Sequence, residues 1–151
     1  GVPAQLSLPT TSRRSERHFR YGPATRPFTD ASYRYDSFTF QGNGLRPYPV
    51  THLSARNAAN GLDLSWIRCT RIDGDIWPDG EVPLGEATEA YVVRVVQDGL
   101  VRREETVTSS QWRYEAADQT ADVGSAPFRI DVAQLSDRYG AGPAASITLQ
   151  A

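Results

Sequence analysis

The sequence predicts an all-β protein, a seven-stranded antiparallel sandwich over residues 46–151 that is preceded by an extended arm over residues 1–45. Short runs in which apolar and polar residues alternate indicate strands that bury one face. Turn residues separate these runs at intervals of about 8–12 residues, which is the spacing of antiparallel two-sheet domains. A helical pattern is confined to the alanine-rich residues 115–122. A chain of 151 residues can bury a sufficient core without disulfides.

Turn signals separate the predicted strands. Asn60-Gly61 and Asp98-Gly99 are typical of hairpin turns, and we expect Asn60-Gly61 to supply positive φ angles. Between them, Leu62, Leu64 and Trp66 alternate with polar residues and form the clearest strand of the chain. The seven strands are predicted at residues 50–56, 62–66, 91–95, 100–107, 112–114, 128–132 and 147–149.

The first 45 residues differ in composition from the rest. Their four prolines favour extended backbone and oppose helix, so we predict a stretched arm with strand-like pieces at residues 33–35 and 38–40. The arm has a net charge of +3, against −5 for residues 46–151. Because interfaces are enriched in Tyr, Phe and Arg, we predict an intersubunit contact through the aromatic residues of the arm. These are Phe19, Tyr21, Phe28, Tyr33, Tyr35, Phe38 and Phe40.

Charge and hydropathy exclude several classes of function. The net charge of −2 opposes general binding to nucleic acid, because phosphate recognition needs a cationic surface. Mean hydropathy is −0.48, and no stretch approaches the roughly 20 apolar residues of a membrane helix, so we expect no membrane insertion. The single cysteine can form no internal disulfide. A chain that starts at Gly1 without Met is expected to be a piece of a longer protein.

An acidic segment at residues 73–89 is the first candidate for a metal site. Calcium prefers six to eight oxygen ligands in a flexible loop, but the spacing here is not that of an EF-hand. We therefore predict no metal and no cofactor, and expect Arg68 and Arg71 to pair with the acids and order the loop. The acids are Asp73, Asp75, Asp79, Glu81, Glu86 and Glu89.

Residues with catalytic chemistry are sparse. His18 and His52 lie 34 positions apart, Cys69 is the only thiol, and no nucleophile motif accompanies them. Two carboxylates of a glycosidase need a cleft between them, and no cleft is predicted at the acidic segment. We assign no catalytic residue and predict that the chain is not an enzyme.

The order of the strands resembles a fibronectin type III domain. Residues 49–55 correspond to its strand A and Leu64-Ser65-Trp66 to strand B, while alternating apolar residues in 91–95 and 128–132 correspond to strands C and F. The family usually has a tyrosine at the start of strand F, where this chain has Phe128. The resemblance implies the fibronectin type III-like sandwich, and the substitution implies a different crossing before strand F.

A second resemblance covers nearly the whole chain. Residues 44–48, 66–77, 82–86 and 89–91 are similar to the C-terminal region of the large multidomain baseplate hub protein of gene transfer agents and related tailed phages. This resemblance implies a structural component of a tail tip that functions in assembly and in positioning at the host surface. It also implies other tail-tip proteins as partners, a homotrimer through the parent protein, and a location in the virion, with the host cytoplasm during assembly.

The alternative is an adhesion module that binds a host envelope polysaccharide. Aromatic faces beside carboxylates can stack on and hydrogen-bond to sugar rings. The candidate contacts are Trp77, Asp75, Tyr48 and Tyr139. Trp77 is equally suited to filling a gap at the edge of the sandwich, which is the more common role of such a residue.

Overall fold

The computed structural model describes residues 6–72 and 82–150. The chain divides into two compact units, Gly1–Gly44 and Leu45–Ala151. The division falls beside the predicted boundary after residue 45. Within the described residues, no helix is long and apolar enough to span a membrane.

The first unit is built on a β-hairpin. Strands β1 (Glu16–Tyr21) and β2 (Arg34–Thr39) pair antiparallel, with Glu16 opposite Thr39 and Tyr21 opposite Arg34. Short 3₁₀ turns at Thr10–Ser12 and Asn43–Leu45 flank the hairpin. We call the first unit, Gly1–Gly44, the hairpin unit.

The hairpin corrects the prediction of a single extended arm. Pro23 and Pro27 lie in the connection between the strands, and Pro9 precedes β1, so no proline interrupts the pairing. The two strand-like pieces predicted at residues 33–35 and 38–40 merge into the single strand β2. Strand β1 was not predicted, because the prolines were taken to favour a single extended conformation throughout residues 1–45.

The second unit, Leu45–Ala151, is an antiparallel two-sheet sandwich, which confirms the predicted all-β class. Its described strands are β3 Thr51–Ala58, β4 Gly61–Ile67, β5 Tyr91–Gln97, β6 Leu100–Val107, β7 Gln111–Glu115, β8 Phe128–Ser136, β9 Gly140–Ala141 and β10 Ala145–Leu149; helix α1 spans Ala116–Asp122. One sheet has the order β3–β4–β7, and the other has the order β10–β8–β5–β6 with β9 paired to β8. The described residues of this unit thus contain eight strands instead of the predicted seven, because the two-residue β9 was missed.

Two turn predictions had different outcomes. Asp98 and Gly99 both have positive φ, 53° and 77°, and they join Gln97 to Leu100 as a two-residue hairpin turn. At the turn that contains Asn60 and Gly61, Ala58 of β3 pairs with Gly61 of β4, so Gly61 lies in the strand and not in the connection. Of Asn60 and Gly61 only the glycine has a positive φ, 144°, so the expectation for this dipeptide was half wrong.

Aromatic side chains fill the core between the two sheets. Trp66 on β4 meets Tyr91 on β5 edge to face, with ring centroids 5.2 Å apart. Tyr114 on β7 meets Phe128 on β8 in the same way at 6.0 Å. All four are buried and belong to one apolar cluster, so strands from both sheets share a single core.

A polar network secures the crossing from β7 to β8, at the position where fibronectin type III domains usually have a tyrosine and this chain has Phe128. The Tyr114 hydroxyl donates to Asp122 Oδ2 of α1 at 2.8 Å, and Arg103 Nε of β6 donates to the same oxygen at 2.6 Å. Arg103 also donates to Glu105 at 3.0 Å, and Glu105 accepts a bond of 3.0 Å from Trp112 Nε1. A tyrosine hydroxyl is therefore hydrogen-bonded at this crossing, but it belongs to Tyr114 on β7, the strand before the crossing, and not to β8.

The network sets the pKa of Asp122. Burial raises this pKa, but the hydrogen bonds from Arg103 and Tyr114 and the charge of Arg103 outweigh burial, so the pKa lies below its usual range. The carboxylate therefore contributes stability that is complete above its unfolded pKa of about 4. That contribution is lost as the pH falls through the lower folded pKa.

We expect Asp122→Asn to destabilise the sandwich by about 2 kcal/mol at pH 7, because hydrogen bonds to a charged group are lost from a side chain that is 14 % exposed. The melting temperature should fall by roughly 10 °C. Asp118 is the matched control: it pairs with the same Arg103 but is 43 % exposed, so Asp118→Asn should cost under about 1 kcal/mol. Urea denaturation between pH 2.5 and pH 7 checks both variants. An equally steep acid loss in Asp122→Asn and wild type would contradict the assignment.

Candidate functional site

One face of the hairpin carries exposed phenylalanines. Phe19 on β1 and Phe38 on β2 lie 6.0 Å apart between ring centroids, and Phe40 lies 5.8 Å from Phe19 and 6.2 Å from Phe38. Phe38 is 50 % exposed and Phe40 is 40 % exposed. We call these three residues the phenylalanine face. Its rings touch one another and leave an apolar surface open to solvent.

A groove of about 480 Å³ opens over the phenylalanine face. Leu6, Arg20 and Tyr21 line it together with the three phenylalanines. Leu6 is 68 % exposed, so it forms an apolar rim. A contiguous apolar surface of this kind on a small unit marks an interaction site more often than an isolated exposed residue does.

The other aromatic residues of the hairpin pack separately, because side chains alternate between the two faces of a strand. His18 stacks on Tyr35 with centroids 5.7 Å apart, and the Tyr35 hydroxyl lies 2.5 Å from His18 Nδ1. Phe28 and Tyr33 pack at 5.0 Å, and the Arg20 guanidinium lies 5.1 Å from the Phe28 ring. The connection between the strands is thereby held by cation–π and ring contacts.

Charged side chains accompany the phenylalanine face. Arg17 lies opposite Phe38 in the pairing register and Asp36 lies opposite Phe19. The Tyr21 hydroxyl donates to Asp36 Oδ2 at 2.8 Å, and this hydrogen bond to a carboxylate raises the pKa of Tyr21. Residues 1–45 carry a net charge of +3. A protein surface that is apolar in its centre and acidic at its edge would be complementary to the phenylalanine face in shape and charge.

The hairpin divides the seven aromatic residues predicted as one contact set. Four of them line the groove: Phe19, Tyr21, Phe38 and Phe40. The remaining three belong to two separate ring pairs, Phe28 with Tyr33 and Tyr35 with His18. Sequence reasoning missed Leu6 and Arg20 as groove residues. Neither residue had a signal: alternation in β1 places Arg20 on the face opposite Phe19, and Leu6 lies outside the paired strands.

Of the four predicted sugar contacts, Tyr48 and Tyr139 lie within the described residues. Trp77 and Asp75 lie outside the residues that the structure describes. Tyr48 is 55 % exposed and precedes β3. Tyr139 is half-buried in the turn between β8 and β9, and its backbone N–H donates to Ser136 Oγ at 3.3 Å.

The acidic segment is partly described, and Arg71 anchors its later half. Arg71 Nε lies 3.0 Å from Glu86 Oε1, as predicted from the charge pattern. Arg68 donates to the Val82 carbonyl at 2.6 Å. The other end is tied to the core through Glu89, which accepts a hydrogen bond of 2.7 Å from the hydroxyl of Tyr91. Burial first, and this bond second, raise the pKa of Tyr91.

The described part of this segment holds Glu86 and Glu89, while Asp73, Asp75, Asp79 and Glu81 lie outside the description. Within residues 6–72 and 82–150, no group of three or more His, Cys, Asp and Glu side chains is placed to hold a metal ion.

The three candidate nucleophiles and bases lie in different settings. His18 belongs to the ring pair on the hairpin. His52 is exposed on β3, with a φ of 52° at the irregular pairing between Thr51 and Ser54. Cys69 is half-buried, and its Sγ donates to Thr51 Oγ1 at 3.7 Å. His18 and Cys69 therefore each contact a neighbouring side chain, Tyr35 and Thr51.

Comparisons with known proteins bear on the fold alone. No family model matches the chain, and no curated protein matches it. Among solved structures, it is similar to domains d3–d4 of the rat CD45 extracellular region, with a TM-score of 0.49 and 10 % identity over 99 % of this chain and 70 % of that chain.

Two further structures align with about the length of the sandwich. The central fibronectin III array of RIM-binding protein has a TM-score of 0.41 and 17 % identity, over 70 % of this chain and 36 % of that one. The Clostridium perfringens spore cortex lytic enzyme SleM has a TM-score of 0.44 and 13 % identity, over 70 % of this chain and 28 % of that one. With all three TM-scores below 0.5, the fibronectin type III-like fold rests on the chain's own two antiparallel sheets and their strand order.

Proposed function

We propose that this chain is a non-enzymatic structural module of a phage-like tail tip or baseplate. In this role the hairpin unit docks the sandwich onto neighbouring proteins. The observation that carries the proposal is the phenylalanine face with its groove of about 480 Å³. The similarity of residues 44–48, 66–77, 82–86 and 89–91 to the hub protein of gene transfer agents and related siphophages supplies the setting.

The physical argument starts from the size of the hairpin. A two-stranded hairpin is at best marginally stable in water, and this unit leaves Phe38 and Phe40 substantially exposed. Covering a half-exposed phenylalanine removes apolar area from water and stabilises a complex by about 1 kcal/mol. A partner that covers the face would therefore stabilise both the contact and the hairpin.

The proposed role assigns the sandwich a passive function. Its core and polar network give a rigid block, and adhesion by shape needs no catalytic group. We place it with other tail-tip proteins, in a threefold assembly through the parent protein, in the virion and, before release, in the host cytoplasm.

A density map of the intact particle tests the proposal directly. We expect an apolar surface of a neighbouring protein to lie against Phe19, Phe38 and Phe40. A map in which the phenylalanine face contacts only solvent, in a correctly assembled tail tip, would refute the docking role. The chain's absence from the tail tip would refute the assignment to that structure.

A further inference from the structure

A cavity of about 330 Å³ opens at one end of the sandwich, beside the segment that precedes β5. Arg71 and Glu86 form one side of it, and Asp137 and Arg138, from the turn after β8, form another. Ile72, Gly85 and Ala87 complete the lining. Its volume is within the range of small-ligand sites, which begins at about 300 Å³.

Glu86 carries an unused acceptor at this cavity. Its side chain is only 3 % exposed, and Arg71 Nε occupies one carboxylate oxygen, Oε1, at 3.0 Å. The other oxygen, Oε2, is buried and has no hydrogen-bond partner among residues 6–72 and 82–150. Leaving a buried charged acceptor without a donor is unfavourable, so a ligand that donates to Oε2 removes this penalty on binding.

The charges of the lining determine which donor is suitable. Arg71 and Arg138 balance Glu86 and Asp137, so the lining has a net charge of zero. The Glu86 carboxylate is already neutralised by the partly buried Arg71, so a cationic ligand would be desolvated without a counter-charge of its own. A neutral hydroxyl can donate a hydrogen bond to Oε2 without the desolvation penalty of a cation. A second hydroxyl can accept a hydrogen bond from the Arg138 guanidinium.

We propose that this cavity binds a neutral polyhydroxylated ligand, a saccharide. One hydroxyl donates to Glu86 Oε2, a neighbouring hydroxyl accepts from Arg138, and Asp137 accepts from a further hydroxyl. Ile72 and Ala87 contact the C–H groups of the ring. This site uses none of the four sugar contacts predicted from the sequence, and it does not depend on the tail-tip role.

Binding can be measured on the full 151-residue chain by saturation-transfer NMR with the methyl glycosides of glucose, galactose and N-acetylglucosamine. We expect saturable binding of at least one glycoside. The Arg138→Ala variant should bind that glycoside about tenfold more weakly, because a hydrogen bond to a charged group is lost. Arg138 is exposed, so this variant should remain folded.

Two controls complete the test. Arg102→Ala removes an exposed arginine that does not line the cavity, and it should leave the affinity unchanged. Glu86→Gln, with its fold checked by circular dichroism, should weaken binding, because the amide keeps only one acceptor oxygen. Methylammonium is the cationic probe. Tighter binding of methylammonium than of every glycoside, equal affinity of Arg138→Ala and wild type, or no saturation with any glycoside would overturn the proposal.

The outcome is separable from that of the docking role. Substitutions in the phenylalanine face should leave glycoside binding unchanged, since none of those residues lines this cavity. Failure to bind sugars would leave the docking proposal intact, and failure to dock would leave the sugar site intact.

Discussion

Removal of residues 1–44 should leave a folded sandwich that no longer enters particles. The second unit, Leu45–Ala151, has its own two sheets and core, so its thermal unfolding should remain cooperative. The groove over the phenylalanine face is lost with the hairpin unit, and with it the proposed contact to neighbouring proteins. Purified particles probed with an antibody against the sandwich measure incorporation. Normal incorporation of the truncated chain would refute the role of the hairpin.

A double substitution tests the same contact with the hairpin in place. Phe19→Ser with Phe38→Ser removes two rings from the groove and should lower incorporation at least about tenfold, as expected for the apolar centre of an interface. Phe28→Ser is the matched control. Phe28 is 60 % exposed, packs against Tyr33 and does not line the groove, so its loss should change incorporation little. Equal effects of the two changes would show that hairpin stability, and not the face, controls assembly.

Gly61→Ala should destabilise the sandwich by about 3 kcal/mol or more. Gly61 has a φ of 144°, which L-residues rarely adopt, and a Cβ there would collide with the carbonyl oxygen of Tyr114. The neighbouring backbone cannot move freely, because the Ala116 N–H donates to the Asn60 carbonyl at 2.8 Å. Equilibrium denaturation with urea measures the loss.

The control for this prediction is Gly99→Ala. Gly99 also has a positive φ, 77°, but a Cβ there would meet nothing within 4 Å. Only the backbone strain remains, so the cost should be about 1 kcal/mol. If the two glycines gave equal losses, the close approach of β4 to the end of β7 would not constrain the fold.

Strands with a local signature were predictable from the sequence. Residues 100–107 were predicted as a strand and form β6 with the same bounds, because Asp98-Gly99 defines the turn before it. Residues 62–66 were also predicted as a strand and lie within β4, because their apolar and polar side chains alternate within one segment. Turn residues and alternation predict a strand from one segment alone, without knowledge of the strand with which it pairs.

Long-range pairing was not predictable in the same way. The pairing of β1 with β2 crosses the proline-containing connection at residues 22–33, and composition concealed it. The bond from Tyr114 to Asp122 also depends on where α1 ends relative to β7. The sequence showed that the usual tyrosine of strand F was missing, but not that another hydroxyl replaces it.

The candidate sites divide along the same line. The aromatic residues of the first unit were recognised from composition, but the pairing of the two strands decides that Phe19, Tyr21, Phe38 and Phe40 line the groove. The pairing of Arg71 with Glu86 was predicted from charge, but the cavity beside it was not, because its lining joins residues 71–72 and 85–87 to residues 137–138.

By itself, the sequence determined the all-β class, most of the strands of the sandwich and the aromatic character of the first unit. Each of these follows from alternation, turn residues and composition, which act between neighbours along the chain. Tertiary structure alone decided the hairpin, the replacement anchor at Asp122 and the burial of Glu86 Oε2. Those features depend on which segments, far apart in sequence, pack against one another. Their hydrogen bonds and burial are therefore determined by the tertiary structure.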